Sequence, residues 1–185
     1  MVNDESVNRV SRKIFSEAIN SLGLAYSMQR KLLKEKTIAE LVTVGRGEDK
    51  ATKGDWESEE IIIEYLKQKN LPLRIIAEEH GTIDVIQNPK HLMVLDGIDG
   101  SSGLVKNPHS KCGTIISIAN NLNPNYDDFV FAGITEYVSR KIVYGIKNEG
   151  VYVIENIGEG KLELKFPKFK DKKFLALINS NISPF

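Results

Sequence analysis

Residues 129–154, FVFAGITEYVSRKIVYGIKNEGVYVI, decide the fold. Three runs of β-branched and aromatic residues, at 129–137, 141–146 and 151–154, are separated by Val138-Ser139-Arg140 and Lys147-Asn148-Glu149-Gly150. Links this short, with Gly and Asn in the second, read as hairpin turns, and strands joined by hairpins pair antiparallel. Tyr137, Tyr144 and Tyr152 then read as sheet packing. The same character recurs upstream at Leu73 to Ala77, His91 to Leu95 and Gly113 to Asn120.

Further toward the N-terminus the period changes. Val7, Val10, Ile14, Ala18, Leu22, Ala25 and Met28 recur at spacings of three and four, which predicts an amphipathic helix from about Glu5 to Leu33 with room for a bend at Gly23. Ile38 to Val44 is a short apolar piece, and GRGEDKATKGD at 45–55 reads as a surface loop. A second helix is predicted from Asp55 to Lys69, with Trp56, Glu59, Ile62, Ile63 and Leu66 on adjacent turns, Asp55 or Ser58 as its cap, and Pro72 beyond its end. Two helices followed by a meander predict an α+β fold, with both helices on one face of a largely antiparallel sheet.

The 185 residues carry 25 Lys+Arg and 25 Asp+Glu, and 41% are apolar. This balance fits one folded core and lacks the cationic excess by which nucleic-acid binders displace counterions. Lys161 to Lys173 holds six lysines, but Glu163 and Asp171 dilute them and no helical period appears, so it reads as a solvated connection. The first fifteen residues contain no apolar run of a secretory signal or membrane anchor. A single cysteine, Cys112, excludes an internal disulfide and a Cys-based zinc site, and the expectation is a cytoplasmic protein. His80, His91 and His109 lack metal-site spacing and are expected at the surface; Cys112 and Trp56 are expected in the core.

Chemistry concentrates in the acids. Glu78-Glu79 follows one predicted strand, and LDGIDGSSG at 95–103 follows another. Acids at strand ends are held together by the sheet while loops leave one side open, and their mutual repulsion calls for a cation or for protonation. Asp96 and Asp99, on a sharp turn permitted by Gly97 and Gly100, can point to one side and bridge divalent ions, with the Ile98 carbonyl between them. The N–H groups of Gly100, Ser101 and Ser102 can accept phosphate oxygens. An EF-hand does not fit, since the second acid falls at the fourth position and Asn107 at the twelfth. Glycines at every third position match no dinucleotide or phosphate-loop motif. The readings without chemistry are Asp55 as a helix cap, Ser101 as a turn hydroxyl and Glu79 as a solvated strand end.

Asp55 in TKGD, Glu78-Glu79 in IAEEHG and Asp96 to Ser101 in VLDGIDGSS, in this order and at these intervals, resemble the inositol monophosphatase family of magnesium-dependent, lithium-sensitive phosphatases. The double serine and GTII are similar to its fructose-1,6-bisphosphatase branch, and GEDKATKGD to archaeal members acting on both substrate types. The resemblance covers roughly residues 5 to 180. It implies hydrolysis of a phosphate monoester of a small polyol, sugar or nucleotide, with two or three Mg2+ per site and Mn2+ as a substitute. Glu78, Asp96 and the Ile98 carbonyl would hold the first ion, Asp96 and Asp99 the second, and Glu79 would sit behind them or contact a further one. Asp55 and Ser101, with Glu78, would position and activate water, and the amides of Gly100, Ser101 and Ser102 would bind phosphate. A homodimer is implied too, with no nucleic-acid or membrane partner.

Two departures accompany the resemblance. Gly97 stands where the family usually has proline, which is expected to loosen the turn. No Trp-Asp motif follows Asp99, although in the family a second α/β domain supplies that carboxylate and much of the substrate pocket. Residues 1–170 therefore read as the metal-binding first domain and 171–185 as the start of a truncated second one, with Phe174 to Ile178 short of sheet partners. The alternative to an enzyme is a catalytically impaired metal- and phosphate-binding module or a fragment that needs a second chain.

Overall fold

Helix α1 (Asp4–Glu35) buries Ile14, Ala18, Leu22 and Ala25 of the apolar stripe read from the sequence, each no more than 1% exposed, with Met28 half-buried and Leu32 buried beyond it. The computed structural model describes residues 4–43, 50–107 and 110–157. α1 ends where Lys36 takes a left-handed conformation (φ 58°), with the N–H of Lys36 donating to Leu33 and that of Thr37 to Leu32. A two-stranded ribbon follows, β1 (Leu41–Thr43) paired antiparallel with β2 (Lys50–Thr52). β2 lies within the stretch expected to be a loop. Three residues, Lys-Ala-Thr, are too few to show alternation.

Helix α2 (Lys53–Gln68) begins two residues earlier than expected because Thr52 caps it, its hydroxyl accepting the N–H of Asp55 at 3.2 Å. Neither Asp55 nor Ser58 is the cap. Ser58 is fully buried and hydrogen-bonded to Gln29. α1 and α2 pack on each other and α1 lies on the sheet, where the hydroxyl of Thr135 donates to the carbonyl of Leu22.

The main sheet has seven strands: β3 (Leu73–Ala77), β4 (Gly81–Asp84), β5 (His91–Asp99), β6 (Gly113–Ala119), β7 (Phe129–Glu136), β8 (Lys141–Ile146) and β9 (Gly150–Ile154). Their spatial order is β4-β3-β5-β6-β7-β8-β9, and every pair is antiparallel except β3 with β5. Both predicted hairpin turns of the 129–154 meander are present. The sequence reading missed β4, a four-residue edge strand without an apolar run, and α3 (Ser101–Lys106), a six-residue helix in the segment read as turn. Lys161 to Lys173, Phe174 to Ile178 and His109 lie outside the described residues. Among the described residues no helix is long and apolar enough to cross a membrane.

The helices cover one sheet face, where Leu73, Ile75, Met93, Leu95, Ile116 and Ile118 are at most 2% exposed. Ile76 and Val94, register neighbours at alternate positions, are 42% and 38% exposed on the other face. The core centres on Phe131, stacked on Phe15 (5.3 Å between centroids) and Tyr144 (6.0 Å). Phe131→Ala should therefore cost about 3 to 5 kcal/mol in urea unfolding, whereas Val138→Ala at an exposed turn should stay within roughly 0.5 kcal/mol.

Candidate active site

Three backbone features assemble the acids. β3 and β5 run parallel with Ala77 opposite Leu95, so the chain leaves β3 at Glu78 beside Asp96. Between Asp96 and Asp99 the β5–β6 register shifts, three steps along β5 matching two on β6, from Ile115 to Gly113. In a regular strand, residues three apart face opposite sides; the extra residue of this bulge returns Asp99 to the side of Asp96. The two acids thus share a face through a strand bulge, where the sequence suggested a glycine turn. Gly97 and Ile98 lie between the registered pairs, and the Gly97 carbonyl accepts the hydroxyl of Thr114 at 2.7 Å.

The third feature brings in Asp55. Lys53 and Gly54 donate to the carbonyls of Glu40 (2.7 Å) and Ile38 (2.9 Å), tying the start of α2 to the segment before β1. The helix start then rests on Gly97: a Cβ built there would lie 3.0 Å from the Asp55 Cα and nearer still to its carbonyl oxygen. Rather than loosening a turn, Gly97 makes a close approach of β5 to the Asp55 backbone of α2. A proline ring has no room at that point. Past Asp99, Gly100 (φ 88°) precedes α3, placing Ser101 and Ser102 in the first helical turn, where N–H groups lack intrahelical acceptors.

Electrostatics reflects this convergence. Burial, followed by the charges of Glu78, Asp99, Asp55 and Glu59, pushes the Asp96 carboxyl up to about 7. Asp55, 7% exposed, is also raised, chiefly by burial and further by Glu78, against hydrogen bonds from Thr52 and Ser101 that lower it. Glu79 is raised by burial and by Glu59, Asp55 and Glu78. Glu78, Asp99, Gly100 and Ser102 are exposed, and Glu79, Asp96 and Ser101 are half-buried. Among the described residues, no three His, Cys, Asp or Glu side chains are gathered closely enough to hold an ion as they stand. The acids are coupled through their charges but not closed around a point, as expected for side chains that repel one another.

One residue of this region escaped the sequence reading as chemistry. Glu59 is fully buried, and its carboxylate accepts the N–H groups of Glu78 (3.0 Å), Glu79 (3.0 Å) and His80 (3.1 Å), with Nδ1 of His80 at 2.9 Å. His80 is therefore no surface residue: its side chain is 11% exposed, Nε2 faces Glu60 at 2.7 Å, and the ring stacks on Trp56 at 3.8 Å. Trp56 is half-buried rather than in the core, and so is His91, whereas Cys112 is buried as expected. The available signal for Glu59 was its position on the apolar stripe with Ile62, Ile63 and Leu66.

The fold has clear structural relatives. Leishmania major fructose-1,6-bisphosphatase in holo form superposes with a TM-score of 0.66 at 19% identity, over 82% of this chain and 52% of that one. Staphylococcus aureus inositol monophosphatase II gives 0.59 at 16%, over 76% and 49%. A Pyrococcus horikoshii hypothetical protein with similarities for inositol-1 monophosphatase gives 0.58 at 23%, over 78% and 51%. The chain spans about half the length of these neighbours. No family model and no curated protein matches the sequence.

Two outcomes are expected. An acid whose folded pKa exceeds its unfolded value stabilises the fold while protonated, so the metal-free protein should lose stability as pH rises from near 4 through about 7. Its thermal midpoint should fall across that window, and Asp96→Asn should flatten the fall. Gly97→Ala should displace the start of α2 and cost about 1 to 3 kcal/mol in urea unfolding.

Proposed function

We propose that this chain, with the fold seen in inositol monophosphatase and fructose-1,6-bisphosphatase structures, is the metal-binding part of a magnesium-dependent phosphomonoesterase for a small phosphorylated polyol, sugar or nucleotide. The observation that carries the reading is the parallel β3–β5 pair, which brings Glu78 beside Asp96 at one sheet end with Asp55 above it. The donor set fits a hard divalent cation: every donor is oxygen, and the like charges of Glu78, Asp99, Asp55 and Glu59 act on Asp96. Glu78, Asp96 and the Ile98 carbonyl would hold a first Mg2+, Asp96 and Asp99 a second, and Glu79 would lie behind them or contact a further ion. Bound there, the ions supply charge neutralisation of the phosphoryl group and a more acidic water.

The chain's own groups supply the rest. The Asp55 carboxyl, raised by burial toward the working range of a general base, would accept the proton of the attacking water, with the Ser101 hydroxyl orienting that water. The N–H groups of Gly100, Ser101 and Ser102 would hold phosphate oxygens. Attack on phosphorus breaks the P–O bond to the alcohol, releasing inorganic phosphate and the alcohol, to which the proton passes.

A second reading is a metal- and phosphate-binding module with impaired turnover. What favours it is that the chain spans only about half the length of its structural neighbours.

Phosphate release from inositol-1-phosphate, fructose-1,6-bisphosphate and an adenosine bisphosphate should require Mg2+ and fall at least ~100-fold in Asp96→Asn. Unchanged turnover in that variant excludes the metal assignment. Calorimetric Mg2+ binding without turnover selects the second reading.

A further inference from the structure

We infer that Glu59 is the positioning residue of the candidate metal centre, its buried carboxylate gathering the backbone of residues 78–80 and so setting where the Glu78 and Glu79 side chains begin. This rests on the reading of the site given above.

The geometry leaves Glu59 little other role. A fully buried carboxylate is costly unless its lone pairs are filled, and here three backbone N–H groups and one imidazole nitrogen fill them. Those N–H groups belong to the three residues linking β3 to β4, between Ala77 and its register partner Gly81. A hairpin of this length forms in many proteins without a buried acid, so hairpin stability alone does not call for the charge.

The position of Glu59 on α2 matters as much. Asp55 and Glu59 are four residues apart, on one helix face. A single rigid helix therefore presents Asp55 to the site and grips the turn carrying Glu78 and Glu79, fixing the two sets of acids relative to each other. Trp56 seals the grip by stacking on His80 at 3.8 Å, and Glu60 meets the outer nitrogen of the ring.

Glu59→Gln keeps the shape but leaves one acceptor oxygen and puts an NH2 against N–H donors. Mn2+ binding to the full chain, followed by the electron paramagnetic resonance of free Mn2+, should weaken about 10- to 100-fold in Glu59→Gln. His80→Phe, which keeps a ring against Trp56 but removes Nδ1, should show a smaller loss, still above about twofold. Glu60→Gln, on the solvent side, should stay within about twofold.

A merely stabilising role predicts a lower thermal midpoint with unchanged Mn2+ affinity of the folded protein, and that result overturns the proposal. So does a loss in Glu60→Gln as large as in Glu59→Gln. If Glu59→Gln fails to fold, unchanged Mn2+ affinity in His80→Phe overturns it. Asp96→Asn separates the two levels: Mn2+ binding that survives it defeats the metal reading itself. Binding lost in Asp96→Asn but intact in Glu59→Gln defeats only the role of Glu59.

Discussion

Carboxylates brought together without a counter-charge repel, and everything at the acidic end of this sheet depends on backbone structure strong enough to hold them there. Burial and, after it, the like charges of Glu78, Asp99, Asp55 and Glu59 push the Asp96 carboxyl up to about 7. The restraint is covalent and hydrogen-bonded geometry: a parallel strand pair, a bulge and a helix start seated on a glycine. Stability comes mostly from elsewhere, from the apolar side chains of α1 and the β6–β9 meander packed around Phe131. The division is physically sensible. Destabilising contacts concentrate where a ligand can relieve them, and the meander supplies the surplus that tolerates them.

Legibility in the sequence followed the length and purity of each pattern. The 129–154 meander and both long helices could be read because alternation and three-four spacing persist over many residues. β2 and β4 could not, since three or four residues, half of them polar, carry no period. α3 was hidden because Ser101-Ser102-Gly103 has turn composition, and only the left-handed Gly100 before it and the shape beyond it make a helix start. Asp55, Glu78 and Asp96 were legible as a group through their order and intervals. What united Asp96 with Asp99 was not, because a register shift is a relation between two strands, and β5 alone contains nothing that announces it.

Gly97 shows how a local reading can invert. Taken alone, a glycine between two acids adds backbone freedom. In the fold that freedom is consumed by the Asp55 backbone, which occupies the space a side chain would need, and Gly54 makes a similar approach to Ile98 and Ile38 from the helix side. A glycine on each side of the contact, Gly97 against the Asp55 backbone and Gly54 against Ile98 and Ile38, lets α2 sit closer to the sheet than side chains there would allow. The site gains a closer Asp55 at that point rather than a looser turn.

The acids of this region also divide by what satisfies them. Burial raises the Glu59 carboxyl, and the donors that the fold itself provides oppose that rise from inside the protein. Asp96 is half-buried like a structural group, yet four charges of its own sign, those of Glu78, Asp99, Asp55 and Glu59, act on it. Burying an acid against other acids is unfavourable for a role confined to stability, whereas N–H groups offset part of the cost of burial. The same helix face thus bears an acid that completes the fold and an acid, Asp55, that leans toward an incomplete one. That asymmetry, more than the number of carboxylates present, sets the end of β5 apart from the rest of the sheet.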